Sequence, residues 1–409
     1  MMDYSSQFKL MQDDLENNGI SVEFVLDKLA QQVIELPSWA VGNSGTRYGT
    51  FREEGAARNI WDRIDDCAEI DRVTGIGGVM AMHIAWDVTD DGEYLPVKEY
   101  ANQRGMRLGT LHPDGFTKQE YIFGSICSPK EDVRELSKEH YRHCVRVARE
   151  LDVKTLGVWV PDGTNYAGQD DLRERKHRLF EGLKVMYDDL DEDMSMFLEY
   201  KPFEPYFYTT DVYDWGMSLL NCNKLGPKAK VLVDLGHHLS GVNIEQIIAV
   251  LLDEGKLGGF HFNNRKNADD DLITGSVNPL ELFYIMNEIV AGQQQGLCPN
   301  VTYMLDQSHN IEPSLEGIIY SIMNAQDAYA KALLVNRKKL QEMQKNFDVI
   351  GAHDVLMQAY NTDVRPLLAE MRMRKGLSNI NPLQNYRDNG YAKKICEERG
   401  NAGSNTLGG

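Results

Sequence analysis

The stretch VLVDLGHHLSG, residues 231–241, begins as an apolar strand and ends in groups that a protein core does not readily accommodate. Three aliphatic residues lead to Asp234, and the histidine pair His237 and His238 follows a glycine. A continuous apolar run of this kind is typical of a strand that is buried on both faces, as in parallel sheets. Polar side chains at its carboxyl end indicate the edge of the sheet where α/β proteins hold their functional groups.

Short apolar runs of the same kind recur along the chain, each followed by an amphipathic helical segment. They lie at residues 32–40, 78–86, 106–112, 155–161, 194–200, 230–236, 258–264 and 301–307. Helix starts are indicated at Ser128-Pro129-Lys130-Glu131 and Asn278-Pro279-Leu280-Glu281, which combine an N-cap residue, a first-turn proline and a capping-box glutamate. Eight alternations of strand and helix predict an α/β fold, a (β/α)₈ TIM barrel, with a doubly wound open sheet as the alternative.

The predicted barrel occupies residues 31–336 and follows a helical lead-in at residues 1–30. Residues 337–409 are basic and helical at first and end in GNAGSNTLGG, which is too small and polar to fold alone. We expect a C-terminal helical extension with a flexible, glycine-rich tail that packs outside the barrel or joins subunits.

The composition limits the kinds of partner and cofactor that the protein is expected to bind. The formal charge of −19 disfavours non-specific binding to nucleic acid or to anionic membranes, because both require a basic surface. The cysteines form no CxxC pair, which argues against a disulfide framework or a thiolate zinc site. No signal-peptide h-region or apolar run of about 18 residues occurs, so we expect a cytoplasmic protein. No nucleotide-binding glycine motif is present either.

Side chains that ligate metals stand at the carboxyl ends of four successive predicted strands, at Glu199, Asp234, His261 and Asp306. In a barrel these ends meet at one rim. Three carboxylates brought together repel one another, and a divalent cation offsets that repulsion. A set of oxygen ligands with one nitrogen suits Mn²⁺, Mg²⁺ or Co²⁺.

A second group of ligand-type residues lies nearby. It comprises His237 and, in the loop RKNADDDL, Asp269 and Asp271, whose carboxylates point the same way if the loop is extended. These residues predict a second cation site, with a solvated acidic loop as the alternative. Lys201, two residues after Glu199, faces the same side and could stabilise negative charge on a substrate oxygen; a surface lysine is the alternative.

The segments FLEYKPFEP, VLVDLGHH, FHFNNRKNADDDL and MLDQSHN, in this order, resemble the broad-specificity L-rhamnose isomerases of the xylose isomerase-like TIM barrel superfamily. The likeness runs from about residue 45 to residue 330. It implies two divalent metal ions per subunit, usually Mn²⁺, with Co²⁺, Mg²⁺ or Zn²⁺ as alternatives. The implied structural site is Glu199, Asp234, His261 and Asp306, and the implied catalytic-metal site is His237, Asp269 and Asp271.

The same resemblance implies how the sugar is held. Lys201 would contact the substrate oxygen near C1, and His83, Trp86 and Trp159 would line the pocket. Phe51, in the loop TRYGTF, would reach into the pocket of a neighbouring subunit of a homotetramer.

The resulting hypothesis is aldose–ketose isomerisation, with L-rhamnose and L-rhamnulose as the expected pair and other aldoses such as D-allose as further substrates. Lys201, His237 and Asp306 are the candidate catalytic residues. A hydride shift from C2 to C1 and proton transfer through an enediol, with Asp306 as base, both fit these residues. The alternatives are a metal-dependent, phosphodiesterase-like hydrolase, which the acidic charge disfavours, and a non-catalytic sugar-binding barrel, which the complete ligand set disfavours.

Overall fold

The structure, a computed structural model, describes residues 4–46, 49–88, 92–204, 208–309 and 311–404. Its main sheet has eight parallel strands, each paired with the next in chain order. They are β1 (Leu36–Pro37), β2 (Val79–Ile84), β3 (Arg107–Pro113), β4 (Thr155–Trp159), β5 (Ser195–Glu199), β6 (Ala229–Asp234), β7 (Leu257–Phe262) and β8 (Thr302–Leu305).

The sheet closes on itself through Glu35. Its backbone N–H donates to Tyr303 O at 2.7 Å, and its carbonyl accepts from Leu305 N at 3.1 Å, which joins the last strand to the first. The predicted TIM barrel is therefore confirmed, and the open-sheet alternative is wrong.

One helix follows each strand and covers the outside of the barrel. These helices are α3 (Ile60–Thr74), α4 (Leu95–Gln103), α5 (Glu131–Leu151), α6 (Leu172–Asp189), α7 (Trp215–Leu225), α8 (Ile244–Asp253), α9 (Pro279–Gln294) and α10 (Ser314–Leu333). Helix α8 shows the packing rule, because Ile244, Ile247, Ile248 and Leu251 recur at helical spacing and are all buried.

Among the described residues, two more helices precede the barrel and five follow it. They are α1 (Tyr4–Asn17), α2 (Val22–Gln31), α11 (Arg337–Lys345), α12 (Val349–Tyr360), α13 (Arg365–Arg374), α14 (Pro382–Asp388) and α15 (Tyr391–Arg399). Helices from before and after the barrel meet where α13 packs on α1 and α2, and Arg374 Nη1 lies 2.6 Å from Glu23 Oε2. Within the described ranges, no helix combines the length and apolarity needed to cross a membrane.

Short elements follow the carboxyl ends of several barrel strands. Gly45–Thr46 and Gly49–Thr50 pair as an antiparallel hairpin after β1, and Ser38–Val41 forms a 3₁₀ turn between β1 and this hairpin. A three-stranded sheet joins Gly163–Thr164, Tyr208–Thr210 and Phe203–Glu204. Residues 47–48 of the predicted TRYGTF loop and residues 405–409 of the predicted tail lie outside the described residues.

The two predicted helix starts have different outcomes. The Asn278 side chain accepts from Glu281 N at 3.1 Å and caps α9, as expected. The start predicted at Ser128 is wrong, because α5 begins at Glu131 and its N-cap residue, Lys130, makes no side-chain cap. Ser128 instead belongs to a buried turn, in which its Oγ accepts from Lys130 N at 3.3 Å.

Candidate active site

Four side chains from the carboxyl ends of β5 to β8 converge on one point inside the rim. The ligand atoms of Glu199, Asp234, His261 and Asp306 all lie within 4.8 Å of one another. His261 Nδ1 is central, at 3.1 Å from Glu199 Oε1 and 3.2 Å from Asp306 Oδ2. It also lies 3.6 Å from Asp234 Oδ2. The structure thus brings together the residues of the first predicted metal site.

The electrostatics of this cluster suit a cation. Burial alone would raise the pKa of Asp234, but His237 and His261 hold it below its ordinary value, so the carboxylate stays ionised. Burial alone would lower the pKa of His261, but Glu199 and the aspartates raise it well above the ordinary value. The imidazole of His261 therefore stays protonated among the carboxylates. The oxygen-rich donor set fits a divalent ion such as Mn²⁺.

Neighbouring donors orient two of the carboxylates. Asn263 Nδ2 lies 3.0 Å from both oxygens of Asp234, and Gly236 N donates to Asp234 Oδ1 at 2.7 Å. Trp39 Nε1 donates to Asp306 Oδ1 at 2.9 Å. Partners of this kind commonly fix metal-ligating carboxylates. Sequence reasoning did not single out Trp39 or Asn263, although Asn263 directly follows the strand that carries His261.

The geometry of His237 fits ligation through Nε2. Its Nδ1 lies 2.9 Å from Tyr200 O, so Nδ1–H donates to that carbonyl and Nε2 faces Asp269 Oδ1 at 2.8 Å. Burial would lower the pKa of His237, but Asp234, Asp269 and Glu199 raise it to about 10. A proton on Nε2 therefore bridges the imidazole and Asp269, at the place where a cation would replace it.

The loop after β7 reaches the site by a different backbone path from the one expected. Asp269 and Asp271 have φ values of 55° and 48°, in the left-handed region, so the predicted extended alternation is wrong. Non-glycine residues adopt this region rarely and are often found there at functional sites. Burial raises the pKa of Asp271 well above its ordinary value, and Asp269 and Asp306 add to the effect. The Asp271 carboxylate accepts a hydrogen bond from Ser308 Oγ at 3.3 Å.

Lys201 is a buried group of the site rather than a surface lysine. Its Nζ lies 2.5 Å from Asp269 Oδ2 and 2.8 Å from Glu204 Oε2. It also lies 4.8 Å from the centre of the Trp159 ring. Burial would lower the pKa of Lys201, but Asp269 and Glu204 raise it above its ordinary value, so the side chain is an ammonium ion.

Aromatic rings form a continuous wall beside the cluster. His83 stacks on Trp86 with ring centres 3.8 Å apart, and Trp39 meets His83 edge-on at 4.7 Å. Phe116 joins Trp86 to Trp159, at 5.4 and 4.8 Å. The predicted pocket residues His83, Trp86 and Trp159 therefore share one wall, whereas sequence reasoning missed Phe116 and Trp39.

The structure also places Phe51, which the sequence predicted as a site residue, and His112, which it did not. Phe51 lies on the loop after β1 and is 58% exposed, available for contact with another molecule. His112, which the sequence showed only as the end of a strand, is buried with its ring 5.5 Å from that of His261. Gly157 leaves room for it, because a Cβ there would lie 2.3 Å from His112 Cε1.

Several buried nitrogen atoms around the wall have no hydrogen-bonding partner among the described residues. They are His83 Nδ1, Trp86 Nε1, His112 Nε2, Trp159 Nε1 and His261 Nε2. An unsatisfied buried polar atom is costly, and native structures rarely gather several without a purpose. The wall therefore offers hydrogen-bonding capacity to a polar ligand next to the ligand cluster.

Comparison with known proteins gives concordant matches. The family described as Xylose isomerase-like TIM barrel matches residues 73–291. A probable sugar isomerase of Rhizobium meliloti (strain 1021) is 40% identical over 400 residues, 96% of this chain and 92% of that protein. A probable sugar isomerase of Mesorhizobium japonicum is 38% identical over 405 residues, 97% and 93% of the two chains. The crystal structure of D-psicose 3-epimerase with D-tagatose, from Clostridium cellulolyticum H10, aligns with a TM-score of 0.52 at 14% identity, over 74% of this chain and 99% of that one, a likeness of fold alone.

Proposed function

Because the chain belongs to the xylose isomerase-like TIM barrel family, we propose that it is a metal-dependent aldose–ketose isomerase. The observation that carries the proposal is the convergence of four candidate metal ligands, three carboxylates and one imidazole, beside a buried ammonium, Lys201, and an aromatic wall. Two relatives named as probable sugar isomerases match nearly the whole chain and support it. L-rhamnose and L-rhamnulose are the proposed pair, on the resemblance of the segments around these residues.

Two groups of residues would hold the metal ions, with Mn²⁺ as the first candidate. Glu199, Asp234, His261 and Asp306 would hold one ion, and His237, Asp269 and Asp271 would hold the other. Bound divalent ions supply Lewis-acid polarisation of sugar oxygens.

Lys201 would act as a fixed hydrogen-bond donor. Asp269 and Glu204 hold its Nζ from two sides, so the ammonium needs little reorganisation when a substrate oxygen arrives. Because its pKa is raised, the group keeps its proton at neutral pH and cannot serve as the base. Its contribution would be to stabilise negative charge that develops on the oxygen near C1.

Asp306 is the best placed carboxylate for moving a proton. Its side chain is 26% exposed, against 4% or less for the other ligand candidates of the group. Trp39 fixes its orientation, and the carboxylate would carry a proton between C2 and C1 in the enediol route. A hydride shift is the competing route, and deuterium from solvent appearing at C1 during turnover would support the enediol.

The wall would bind the apolar face of the sugar and restrict water. Trp86, Phe116 and Trp159 present flat surfaces to C–H groups, while the unpaired nitrogens of His83 and His112 would meet hydroxyl groups. We further propose a cytoplasmic homotetramer in which the exposed Phe51 contacts a neighbouring subunit. Light scattering of the full chain tests that assembly.

The decisive experiment compares chelated protein with protein restored by Mn²⁺ on a panel of aldoses that includes L-rhamnose and D-allose, measuring the ketose formed. We expect turnover only with restored metal, and none in the Glu199→Gln variant. A Glu181→Gln variant, changed on the outer helix α6, is the matched control and should behave as the intact chain.

Other outcomes would replace the proposal. Binding of Mn²⁺ without turnover of any aldose would favour the non-catalytic sugar-binding barrel. Interconversion of ketose epimers alone would indicate an epimerase, and cleavage of a phosphodiester would indicate the hydrolase.

A further inference from the structure

The last described residues of the chain return to the catalytic face of the barrel. Residues 400–404, called here the C-terminal clasp, directly follow α15. At the start of the clasp, Gly400 O accepts from Gly55 N at 2.8 Å. Arg399, just before it, holds the buried Asp66 of α3 at 2.7 and 3.0 Å. The clasp is thus anchored to the loop after β1 and to the first barrel helix.

Backbone hydrogen bonds seat the rest of the clasp between two parts of that loop. Asn43 donates from its backbone to Ser404 O and from its side chain to Gly403 O, both at 2.8 Å. Ser404 N donates to Ala57 O at 2.8 Å. The fit is close, since a Cβ on Gly403 would lie 2.7 Å from Ala56 Cβ. These contacts form a specific seat rather than a loose tail.

The Ser404 hydroxyl is the first group in a series of hydrogen bonds that leads through Arg63 to the buried Asp87. Arg63, on α3, donates from Nη2 to Ser404 Oγ at 3.1 Å and from Nη1 to Asp87 Oδ1 at 2.6 Å. The Arg63 side chain is 4% exposed and that of Asp87 is 0% exposed. The stability of a buried charged pair depends strongly on the other hydrogen bonds that its two groups make. The hydrogen bond to Ser404 therefore influences where the Arg63 guanidinium lies.

Asp87 in turn holds two parts of the aromatic wall. Its Oδ2 accepts from His83 N at 2.8 Å, and its own N–H donates to His83 O at 3.1 Å, which closes the turn that contains Trp86. The same oxygen accepts from Ser38 Oγ at 2.6 Å, next to Trp39. One carboxylate therefore contacts both segments whose rings, His83 and Trp39, meet edge-on in the aromatic wall.

We propose that the C-terminal clasp and Arg63 position the sugar pocket: Ser404 fixes Arg63, Arg63 fixes Asp87, and Asp87 fixes the turns that carry His83 and Trp39. The inference rests on the proposed function for the identity of the ligand, but not for the mechanical connection. None of these residues belongs to the ligand groups, and the contact that leads from them to a ligand candidate, Trp39 Nε1 to Asp306 Oδ1, keeps both of its atoms when the clasp is removed. The clasp therefore acts on sugar affinity more than on metal affinity.

The test compares two shortened chains with the intact chain. One ends at Gly400 and lacks most of the clasp; the other ends at Ser404 and is the matched control, because it keeps the clasp. Hydrogen–deuterium exchange of the His83 and Asp87 amides should rise about tenfold in the first chain, the effect of losing a buried hydrogen bond to a charged group. Exchange in β6 should not change. The chain ending at Ser404 should match the intact protein in both segments.

Steady-state kinetics then separates positioning from general support of the fold. In the chain ending at Gly400 we expect KM for the aldose to rise about tenfold, with kcat and Mn²⁺ affinity within about twofold of the intact chain. Ser404→Ala should move KM in the same direction, and Asn401→Ala, which leaves the backbone contact of that residue in place, should not.

Two results would overturn the inference. One is unchanged exchange at His83 and Asp87 after removal of the clasp. The other is a parallel loss of metal affinity, kcat and thermal stability, which would reduce the clasp to structural support. If the intact chain turns over no aldose, the proposed function fails, and the exchange measurement still decides the inference because it needs no substrate.

Discussion

The adjacent residues His237 and His238 show how the environment divides one side-chain type into two roles. Carboxylates surround His237 and raise its pKa to about 10. Burial lowers the pKa of His238 to about 3, and Arg265 adds to the effect. The His238 ring is held by Tyr200, whose hydroxyl lies 2.7 Å from Nε2. His238 is therefore a neutral packing residue, whereas His237 contacts the candidate ligands Glu199 and Asp269.

The buried ammonium gives a direct test of the proposed chemistry. Lys201→Met removes the donor but keeps an apolar stem against Trp159, so we expect kcat to fall by about 10²–10³-fold, as for loss of an oxyanion donor. Metal content measured by atomic emission should stay near that of the intact chain. Lys184→Met, on the exposed side of α6, is the control and should keep full activity. Loss of metal in the Lys201 variant would show that its role is to hold the acidic loop.

Trp39 gives a second test, because its indole donates a hydrogen bond to Asp306 of the candidate metal-binding group. Trp39→Phe keeps the ring against His83 and removes the hydrogen bond to Asp306. Removal of such partners typically weakens metal binding by about 10–100-fold, and we expect the lower end of that range from calorimetric titration with Mn²⁺. Trp61→Phe, on the outside of α3, should bind the metal normally. Unaltered affinity in the Trp39 variant would mean that the carboxylate is oriented by the metal alone.

At the scale of elements, the strand ends were predictable and the turns between them were not. The parallel register pairs Asp234 with His261, so apolar runs that end in ligand types must meet at one rim. The loop of Asp269 and Asp271 was predicted to be extended, because an acidic triplet carries no local sequence signal for left-handed backbone. Both residues nevertheless have positive φ values. The contact between Trp39 and Asp306 depends on a 3₁₀ turn that residues distant in sequence hold in place.

The cap of α9 is an element-scale feature that can be tested separately from catalysis. Asn278→Ala removes the acceptor for Glu281 N and should cost about 1 kcal/mol of unfolding free energy. For a chain of this size, that loss lowers Tm by about 1–2 °C, as measured by calorimetry. Asn278→Ser retains an acceptor and should lose only a few tenths of a kcal/mol. Equal losses in both variants would assign the stability to another contact of Asn278.

At the scale of the whole molecule, the carboxylates around His237 and His261 link folding to the binding of protons. The chain carries a formal charge of −19, and the carboxylates of Glu199, Asp234 and Asp306 lie in the barrel mouth around His261, with His237 beside Glu199. Without a metal, His237 and His261 hold protons that the unfolded chain would release near its ordinary pKa of 6.5. Folding of the metal-free protein is therefore linked to proton uptake at neutral and alkaline pH.

The sign of that linkage predicts how stability depends on pH. A histidine whose pKa is raised on folding contributes stability that is fully present below about pH 6.5 and is lost as pH rises through its folded pKa, about 10 for His237. We expect Tm of chelated protein to fall between pH 6.5 and 9.5, by about 1–2 °C for each kcal/mol lost. With saturating Mn²⁺ the decline should be smaller, because the cation takes the place of the protons. Differential scanning calorimetry in both conditions checks this, and parallel curves would show that the imidazoles are not exchanged for metal.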